Sequence, residues 1–126
     1  MSVKEVAAVR LDEKKSKFYA HLYQIDSLSD IEEVRALHNR LYKKAAHHCY
    51  AAVYGTMTNT HTDGEVGSPG RVLLEVLELH NLCSHMLMVS RIFGGIKLGP
   101  AGVSRAFREA GNGAVVEYET YKQKNF

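Results

Sequence analysis

The chain of 126 residues carries 16 Lys and Arg against 14 Asp and Glu, so its formal net charge is +2, and 45% of its residues are hydrophobic. This length predicts one domain with a buried core, and so small a charge does not by itself indicate nucleic-acid binding. No apolar run approaches the roughly 20 residues that span a bilayer, and residues 1–10 lack the apolar block of a secretory signal. We therefore expect a cytoplasmic protein with no membrane partner.

Cys49 and Cys83 are the two cysteines of the chain, and they lack the Cys-x-x-Cys spacing of zinc sites and redox motifs. This favours reduced structural thiols over a disulfide framework. Most of the histidines are scattered along the chain without metal-ligand spacing. The sequence therefore predicts no cofactor.

The first half of the chain predicts two strands, a helix and a third strand. Residues 4–10 and 16–23 have strand character, and the polar link at 12–15 favours a hairpin between them. Ser29 followed by Glu32 has the spacing of a capping box that opens a helix ending near Lys44. A third strand is predicted at 49–54. The apolar stripe predicted for the helix consists of Ile31, Val34, Leu37 and Leu41.

Residues 55–70 are polar and glycine-containing without periodicity, which predicts a long loop. Ser68 and Pro69 then open a second predicted helix, for which Asn81 is a plausible stop. At the tail of the chain, alternation over 116–121 predicts a last strand.

The most informative segment is the apolar strand at 85–91 with the glycine-rich loop and helix that follow it. An unbroken apolar run in this strand indicates burial on both faces, which is typical of a central strand. Pro100 suits the first turn of a helix that extends to about Ala114. Lys97 and Arg105 bracket the loop, so its backbone N–H groups, the helix N-terminus and two cations together favour an anion. The glycines of this segment are Gly94, Gly95, Gly99 and Gly102.

A simpler interpretation of the same segment stays open, because glycines at a strand-to-helix corner also allow the helix to pack closely. The element order predicts a two-layer α/β sandwich of about four strands with three helices on one face.

Two further groups of residues are candidates for chemistry. Asp63 and Glu65 flank a glycine, and their carboxylates suit a hard cation, although Asp-Gly is also a routine turn dipeptide. His47 and His48 lie at the start of the third strand, where a neutral histidine can act as a base or donate to a phosphate. Adjacent strand residues point to opposite faces, so one of the two histidines at most faces any single site.

Four blocks of the sequence resemble, in order and spacing, the IMPACT/YigZ family. They are KKSKFYAHL from Lys14, KAAHHCYA from Lys44, TDGE and GRVLLEVLE from Thr62, and VSRIFGGIKLGP from Val89. The resemblance implies the fold of the second domain of ribosomal protein S5, a two-layer α/β unit. It also implies that the histidine pair, the acidic turn, Arg91 and the glycine-rich loop gather at one end of the sheet.

The chain departs from the family pattern at two places. Family members often have an aspartate where this chain has Thr62, which weakens the metal interpretation. Bacterial members usually have threonine and glycine at the positions of Pro100 and Ala101, so a hydroxyl and one N–H donor are absent here. Eukaryotic members carry an RWD domain and bacterial members a C-terminal ferredoxin-like domain. Neither fits in this chain, so we expect a single Impact-type domain over residues 1–126.

The resemblance implies a non-catalytic regulator linked to translation and the stress response. We expect it to bind RNA phosphate or an acidic, ribosome-associated protein. The alternative is a small enzyme acting on a phosphorylated metabolite, in which Asp63 and Glu65 hold a divalent ion and a histidine moves a proton. A protein scaffold that docks through the 55–70 loop is the third interpretation. The predicted anion or nucleic-acid site comprises Arg91, Gly94, Gly95, Lys97, Gly99, Gly102, Arg105, His47 and His48.

Overall fold

A computed structural model describes residues 3–125 of the chain. They form five strands, three α-helices and one short 3-10 turn, Leu28–Asp30, which leads into the first helix. The strands are β1 (Lys4–Glu13), β2 (Ser16–Gln24), β3 (His47–Tyr54), β4 (Met57–His61) and β5 (Ser84–Ile92), and the helices are α1 (Ile31–Leu41), α2 (Pro69–Leu79) and α3 (Gly99–Asn125).

The strands form a single sheet in the order β1-β2-β5-β3-β4, and all neighbouring strands are antiparallel. β5 is the central strand, as its apolar run predicts, and it pairs with β2 on one side and β3 on the other. The prediction of about four strands was one short. β4 lies inside the segment predicted as a loop, because it is a polar edge strand without an apolar alternation that would reveal it.

The helices cover both faces of the sheet, so the prediction that all three lie on one face was wrong. α2 and α3 pack on one face against a core that includes Phe18, Cys49 and Leu87. α1 covers the other face, where Val34 packs with residues such as Met88. The physical reason is that β2, β3 and β5 are buried on both faces, and each face needs its own cover. The likeness to the second domain of ribosomal protein S5 stays a prediction.

α3 continues to the end of the described chain, so the strand predicted at 116–121 was wrong. Ala114, Val115 and Tyr118 are buried. Tyr118 follows Val115 by three residues and Ala114 by four, which is the spacing of residues on one face of a helix. Val116, which the alternation assigned to the buried side of a strand, is exposed. A short stretch of alternating residues is compatible with the period of a strand and with that of a helix, and packing on the sheet selects the helix.

The entry to α1 also differs from its prediction. Ser29 does not cap the helix. Instead, the Ser27 hydroxyl accepts a hydrogen bond from the Ser29 N–H at 3.2 Å, and the Asp30 carboxylate accepts one from the Asp26 N–H at 2.8 Å. Within α1, Leu41 is exposed and His38 is fully buried, so the buried stripe includes a polar residue that a hydropathy pattern does not reveal.

The hairpin between β1 and β2 is confirmed, and it turns through two lysines. Lys14 and Lys15 both have positive φ, 46° and 68°, which is the left-handed conformation that glycine and asparagine adopt most readily. The turn packs on the loop after β5, where a Cβ on Gly94 would lie 2.1 Å from the Lys15 carbonyl carbon. The Gly94 N–H also donates to the buried Ser16 hydroxyl at 3.2 Å.

No helix among residues 3–125 is both long and apolar enough to cross a bilayer.

We expect Gly94→Ala to lower the free energy of unfolding by about 1–3 kcal/mol, because the added methyl overlaps backbone that cannot move aside without opening the hairpin. Gly113→Ala in α3 is the control. Its Cβ would meet Val9 Cγ2 at an ordinary 3.5 Å, so it is expected to raise the free energy by up to about 1 kcal/mol. Urea denaturation measures both, and equal effects of the two substitutions would contradict the close packing of Gly94.

Candidate functional site

The candidate residues gather at one end of the sheet, which we call the loop end. It is formed by the β1–β2 turn, the segment before β3, the β4–α2 loop, the β5–α3 loop and the first turns of α3. The sheet register brings these segments together, because His47 at the start of β3 pairs with Arg91 near the end of β5. The gathering that the family resemblance implies is therefore present in the structure.

Within the loop end, the candidates separate into distinct places. His47, Arg91, Lys97 and Gly99 line one cavity of about 360 Å³, which we call the Phe93 cavity. Its remaining lining residues are Glu65, Val66, Phe93, Leu98, Pro100 and Val103.

Gly102 and Arg105 line a second cavity of about 270 Å³ beside Lys14. Glu13 and Glu109 also line this cavity and offset part of its positive charge. Gly94 is packed under the β1–β2 turn, whereas a Cβ on Gly95 would meet nothing within 4 Å. Residues of the glycine-rich loop and the start of α3 therefore line two neighbouring cavities instead of one pocket.

His48 points away from the Phe93 cavity. It lines a small cavity of about 60 Å³ with His61, Asp63 and residues of α1, on the other side of the sheet. The expectation that adjacent histidines face opposite sides is confirmed, and His47 alone of the pair lines the Phe93 cavity.

Arg91 is the most deeply buried cation of the site. Its Nη1 donates to Glu65 Oε2 at 2.9 Å, and its Nη2 donates to Ser16 Oγ at 3.3 Å. The two charged side chains are only 6% and 4% exposed. Two aromatic rings flank the guanidinium, since its Cζ lies 5.4 Å from the centroid of Phe18 and 5.5 Å from that of Phe93. Glu65 thus already neutralises Arg91, and the pair ties the β4–α2 loop to the sheet.

The acidic turn forms contacts that hold the loop in place. Asp63 Oδ2 accepts from the His48 N–H at 2.7 Å, and the Asp63 carbonyl oxygen accepts from His47 Nδ1 at 2.8 Å. Asp63 and Gly64 have positive φ, as expected of a tight turn. Glu65 binds Arg91, whereas Asp63 binds His47 and His48, so the two acidic residues have different partners. Across residues 3–125, no group of three or more His, Cys, Asp or Glu side chains is placed to hold a metal ion.

Exposed cations surround this neutralised pair. Seven Lys and Arg side chains of the loop end are exposed, and no salt bridge involves them within the described part of the chain. Six come from turns and loops or their flanking residues, and one comes from α3. They are Lys14, Lys15, Lys17, Lys43, Lys44, Lys97 and Arg105.

A buried polar network on the α1 face was not foreseen from the sequence. Tyr23 Oη lies 2.8 Å from His38 Nε2, and the Ser90 hydroxyl lies 2.8 Å from His38 Nδ1 and 2.7 Å from His48 Nδ1. Nearby, His21 is hydrogen-bonded to Glu5 and, at 2.6 Å, to the Tyr42 hydroxyl.

A sequence signal for this network exists. His21 and Tyr23 are two residues apart on β2 and share a face. His38 lies in the last turn of α1, and Tyr42, four residues later, directly follows the helix and donates its backbone N–H to the His38 carbonyl oxygen. The polar, aromatic face of β2 can meet that of α1 only if α1 packs on the side of the sheet to which His21 and Tyr23 point.

The network is neutral because it is buried. Burial lowers the pKa of His38 to about 3, assisted by the neighbouring His21 and His48, and it also lowers the pKa of His48. A neutral imidazole has one donor and one acceptor nitrogen. One consistent arrangement therefore runs from the Tyr23 hydroxyl to His38, from His38 to Ser90, and from Ser90 to His48.

A single antiparallel sheet with helices on both faces and a glycine-rich loop beside a buried Arg–Glu pair defines a small α/β domain whose candidate residues lie at one end of the sheet. Residues 14–115 match the family model described as the Impact N-terminal domain. The chain belongs to the IMPACT family.

Relatives in bacteria and animals support this assignment. The chain is 34% identical over 110 residues to the IMPACT family member YvyE of Bacillus subtilis, covering 84% of this chain and 51% of that protein. It is 36% identical over 106 residues to an IMPACT family member of Haemophilus influenzae, covering 79% and 50%. To Protein IMPACT of Rattus norvegicus it is 33% identical over 98 residues, covering 71% and 31%. The chain thus spans about half or less of the length of these relatives.

Two solved structures share the fold. The crystal structure of a hypothetical protein superposes with a TM-score of 0.77 at 28% identity, covering 92% of this chain and 61% of that one. The two-domain translational regulator Yih1 superposes with a TM-score of 0.53 at 18% identity, covering 93% and 47%.

We expect Glu65→Ala to lower the free energy of unfolding by about 3–5 kcal/mol, because it leaves the Arg91 charge buried without a partner. Glu75→Ala is the matched control. It breaks the Arg108–Glu75 pair, which has the same 2.9 Å separation but side chains that are 50% and 47% exposed, and it should cost no more than about 1 kcal/mol. Chemical denaturation compares the two, and a loss below about 1 kcal/mol for Glu65→Ala would contradict the burial of the pair.

We expect acid to destabilise the protein through His38. The unfolded chain takes up this proton near pH 6.5, whereas the folded protein does so only near pH 3. Stability from neutral His38 is therefore fully present above about pH 6.5 and is lost as the pH falls toward 3, with a slope of up to about 1.4 kcal/mol per pH unit.

His38→Gln removes this titration, so the stability difference between wild type and the variant should shrink as the pH falls from 6 to 4, which denaturation at each pH measures. Tyr23→Phe is the control. It removes a hydrogen-bond partner of His38 but leaves the imidazole in place, so it should lower stability and keep the wild-type slope. Parallel profiles for wild type and His38→Gln would contradict a neutral, buried His38.

Proposed function

We propose that this chain is a non-catalytic regulator linked to translation and the stress response, which acts by binding RNA phosphate at the loop end. Family membership supports the link to translation, because the structural relative Yih1 is described as a translational regulator. The basic surface beside the glycine-rich loop supports phosphate binding. Binding is favoured over catalysis because Asp63 and Glu65 are held in contacts within the protein.

The observation that carries the proposal is the set of seven exposed cations at the loop end, none of which has a salt-bridge partner among residues 3–125. Elsewhere on the surface, Arg10, Arg35 and Arg108 are each paired with a carboxylate, and the cations without such a pair are spread over β1, α1, α2 and the end of α3. Unpaired cations on several adjoining loops match a chain of phosphates, which presents one negative charge at each nucleotide. The modest net charge of +2 hides this arrangement, because most of the acids lie in other parts of the chain or are already paired, and Glu13 and Glu109 offset only part of the charge at the loop end.

Fluorescence anisotropy with a labelled RNA tests the proposal. Affinity should fall steeply between about 50 and 200 mM salt, as counterion release requires. The Lys14→Ala/Lys15→Ala double variant and Lys97→Ala should each weaken binding and lower the salt slope by about 1 for each phosphate that the variant no longer neutralises.

Lys4→Ala and Lys124→Ala are single-charge controls for Lys97→Ala, since Lys4 begins β1 and Lys124 lies near the end of α3, both away from the loop end. These two variants should bind as the wild type does. The proposal fails if no RNA binds at low salt, or if the control variants lose as much affinity as Lys97→Ala. Equal affinity for polyglutamate would instead assign the surface to an acidic protein partner.

A further inference from the structure

Phe93 lies beside a buried cation at the loop end. The Arg91 Cζ lies 5.5 Å from the centroid of the Phe93 ring and 5.4 Å from that of the Phe18 ring. Phe18 is fully buried and meets Phe107 edge to face at a centroid distance of 5.2 Å. Arg91 and Phe18 are therefore anchored in the core, whereas Phe93 is 48% exposed.

The cation beside Phe93 is already compensated. Glu65 and Ser16 accept hydrogen bonds from the Arg91 guanidinium, and Glu65 balances its charge. A cation close to an aromatic ring attracts the face of that ring. The held guanidinium therefore favours a defined position of the Phe93 ring, which is still half open to solvent.

Several of the residues around this ring are apolar. Val66, Leu98, Pro100 and Val103 line the Phe93 cavity of about 360 Å³ together with the ring itself. Val66 and Ile96 are also exposed at the loop end, so three large apolar side chains meet solvent there. Apolar surface grouped beside a cavity is typical of a place that a ligand covers.

Unpaired cations lie at and near the same cavity. Lys97 lines it directly, and the Lys15 backbone packs against Gly94, the residue after Phe93. An aromatic ring with exposed cations nearby combines the two elements that bind single-stranded nucleic acid, base stacking and phosphate attraction.

We infer that the Phe93 cavity accepts an unpaired base of single-stranded RNA, which stacks on the exposed surface of Phe93 while Lys97 and Lys15 bind the flanking phosphates. The inference rests on the proposed function and names the form of RNA that the loop end prefers. A duplex keeps its base faces stacked and leaves the ring without a partner. An acidic peptide uses the cations alone.

A single-stranded oligoribonucleotide carrying one 2-aminopurine tests the inference. Its fluorescence reports stacking, and its titration reports affinity. We expect Phe93→Ala to lower affinity for this strand about tenfold and to remove the change in fluorescence. Phe93→Tyr, which keeps a ring, should retain both signals, and Phe93→Leu, which keeps only apolar volume, should not.

Two controls test whether the effect is specific to Phe93 and to single-stranded RNA. Tyr121→Ala removes another exposed aromatic side chain, near the far end of α3, and should leave affinity unchanged. The same RNA annealed to its complement should bind more weakly and should not respond to Phe93→Ala. Because Phe93 is half exposed, the variants are expected to fold, and their urea midpoints verify this.

The outcomes separate the two proposals. If Phe93→Ala binds the single strand as the wild type does while Lys97→Ala binds it more weakly, stacking is overturned and phosphate binding stands. If the duplex binds as tightly as the single strand, the stacking inference is likewise overturned. If neither form of RNA binds at low salt, the proposed function fails, and the inference fails with it.

Discussion

The ion pair between Arg91 and Glu65 is the contact on which the arrangement of the loop end depends. Both side chains are almost completely removed from water, so each charge depends on the other for compensation inside the protein. The pair joins the β4–α2 connection to the central strand of the sheet. It also holds the guanidinium within 5.5 Å of the ring centroids of Phe18 and Phe93.

The same connection is held a second time, by the contacts of the acidic turn. Asp63 accepts from the His47 side chain and from the backbone of His48, so the start of β3 and the β4–α2 loop are locked together. Ser90 and Arg91 are neighbours in β5, and their side chains serve opposite faces of the sheet. One strand thus anchors the buried histidine network on the α1 face and the charged pair on the α3 face.

The parts of this fold that depend on local pattern were predictable from the sequence. The β1–β2 hairpin, the central position of β5 and the proline at the start of α3 each follow from residues close together in the chain. The position of α1 on the opposite face was also implied by the double burial of β5, but the element order alone favoured a single layer of helices.

What the sequence could not reveal was pairing at long range. Arg91 meets Glu65 and Ser16 across 26 and 75 residues, and the periodicity of a strand or helix carries no information on such separations. Sequence reasoning therefore grouped Arg91 with the free cations and Glu65 with metal ligands, although the structure joins the two. β4 was missed for a related reason, since an edge strand without an apolar face gains its order from the neighbour it pairs with.

The close approach of Gly94 to the lysine turn has an evolutionary consequence. The backbone of Lys15 occupies the space where any other residue at position 94 would place its Cβ. A longer β1–β2 turn would lift away from this contact and leave the Ser16 hydroxyl without the Gly94 N–H. The length of the first hairpin therefore constrains the identity of a residue roughly eighty positions later in the chain, and the reverse also holds. Insertions in this domain are expected in other connections.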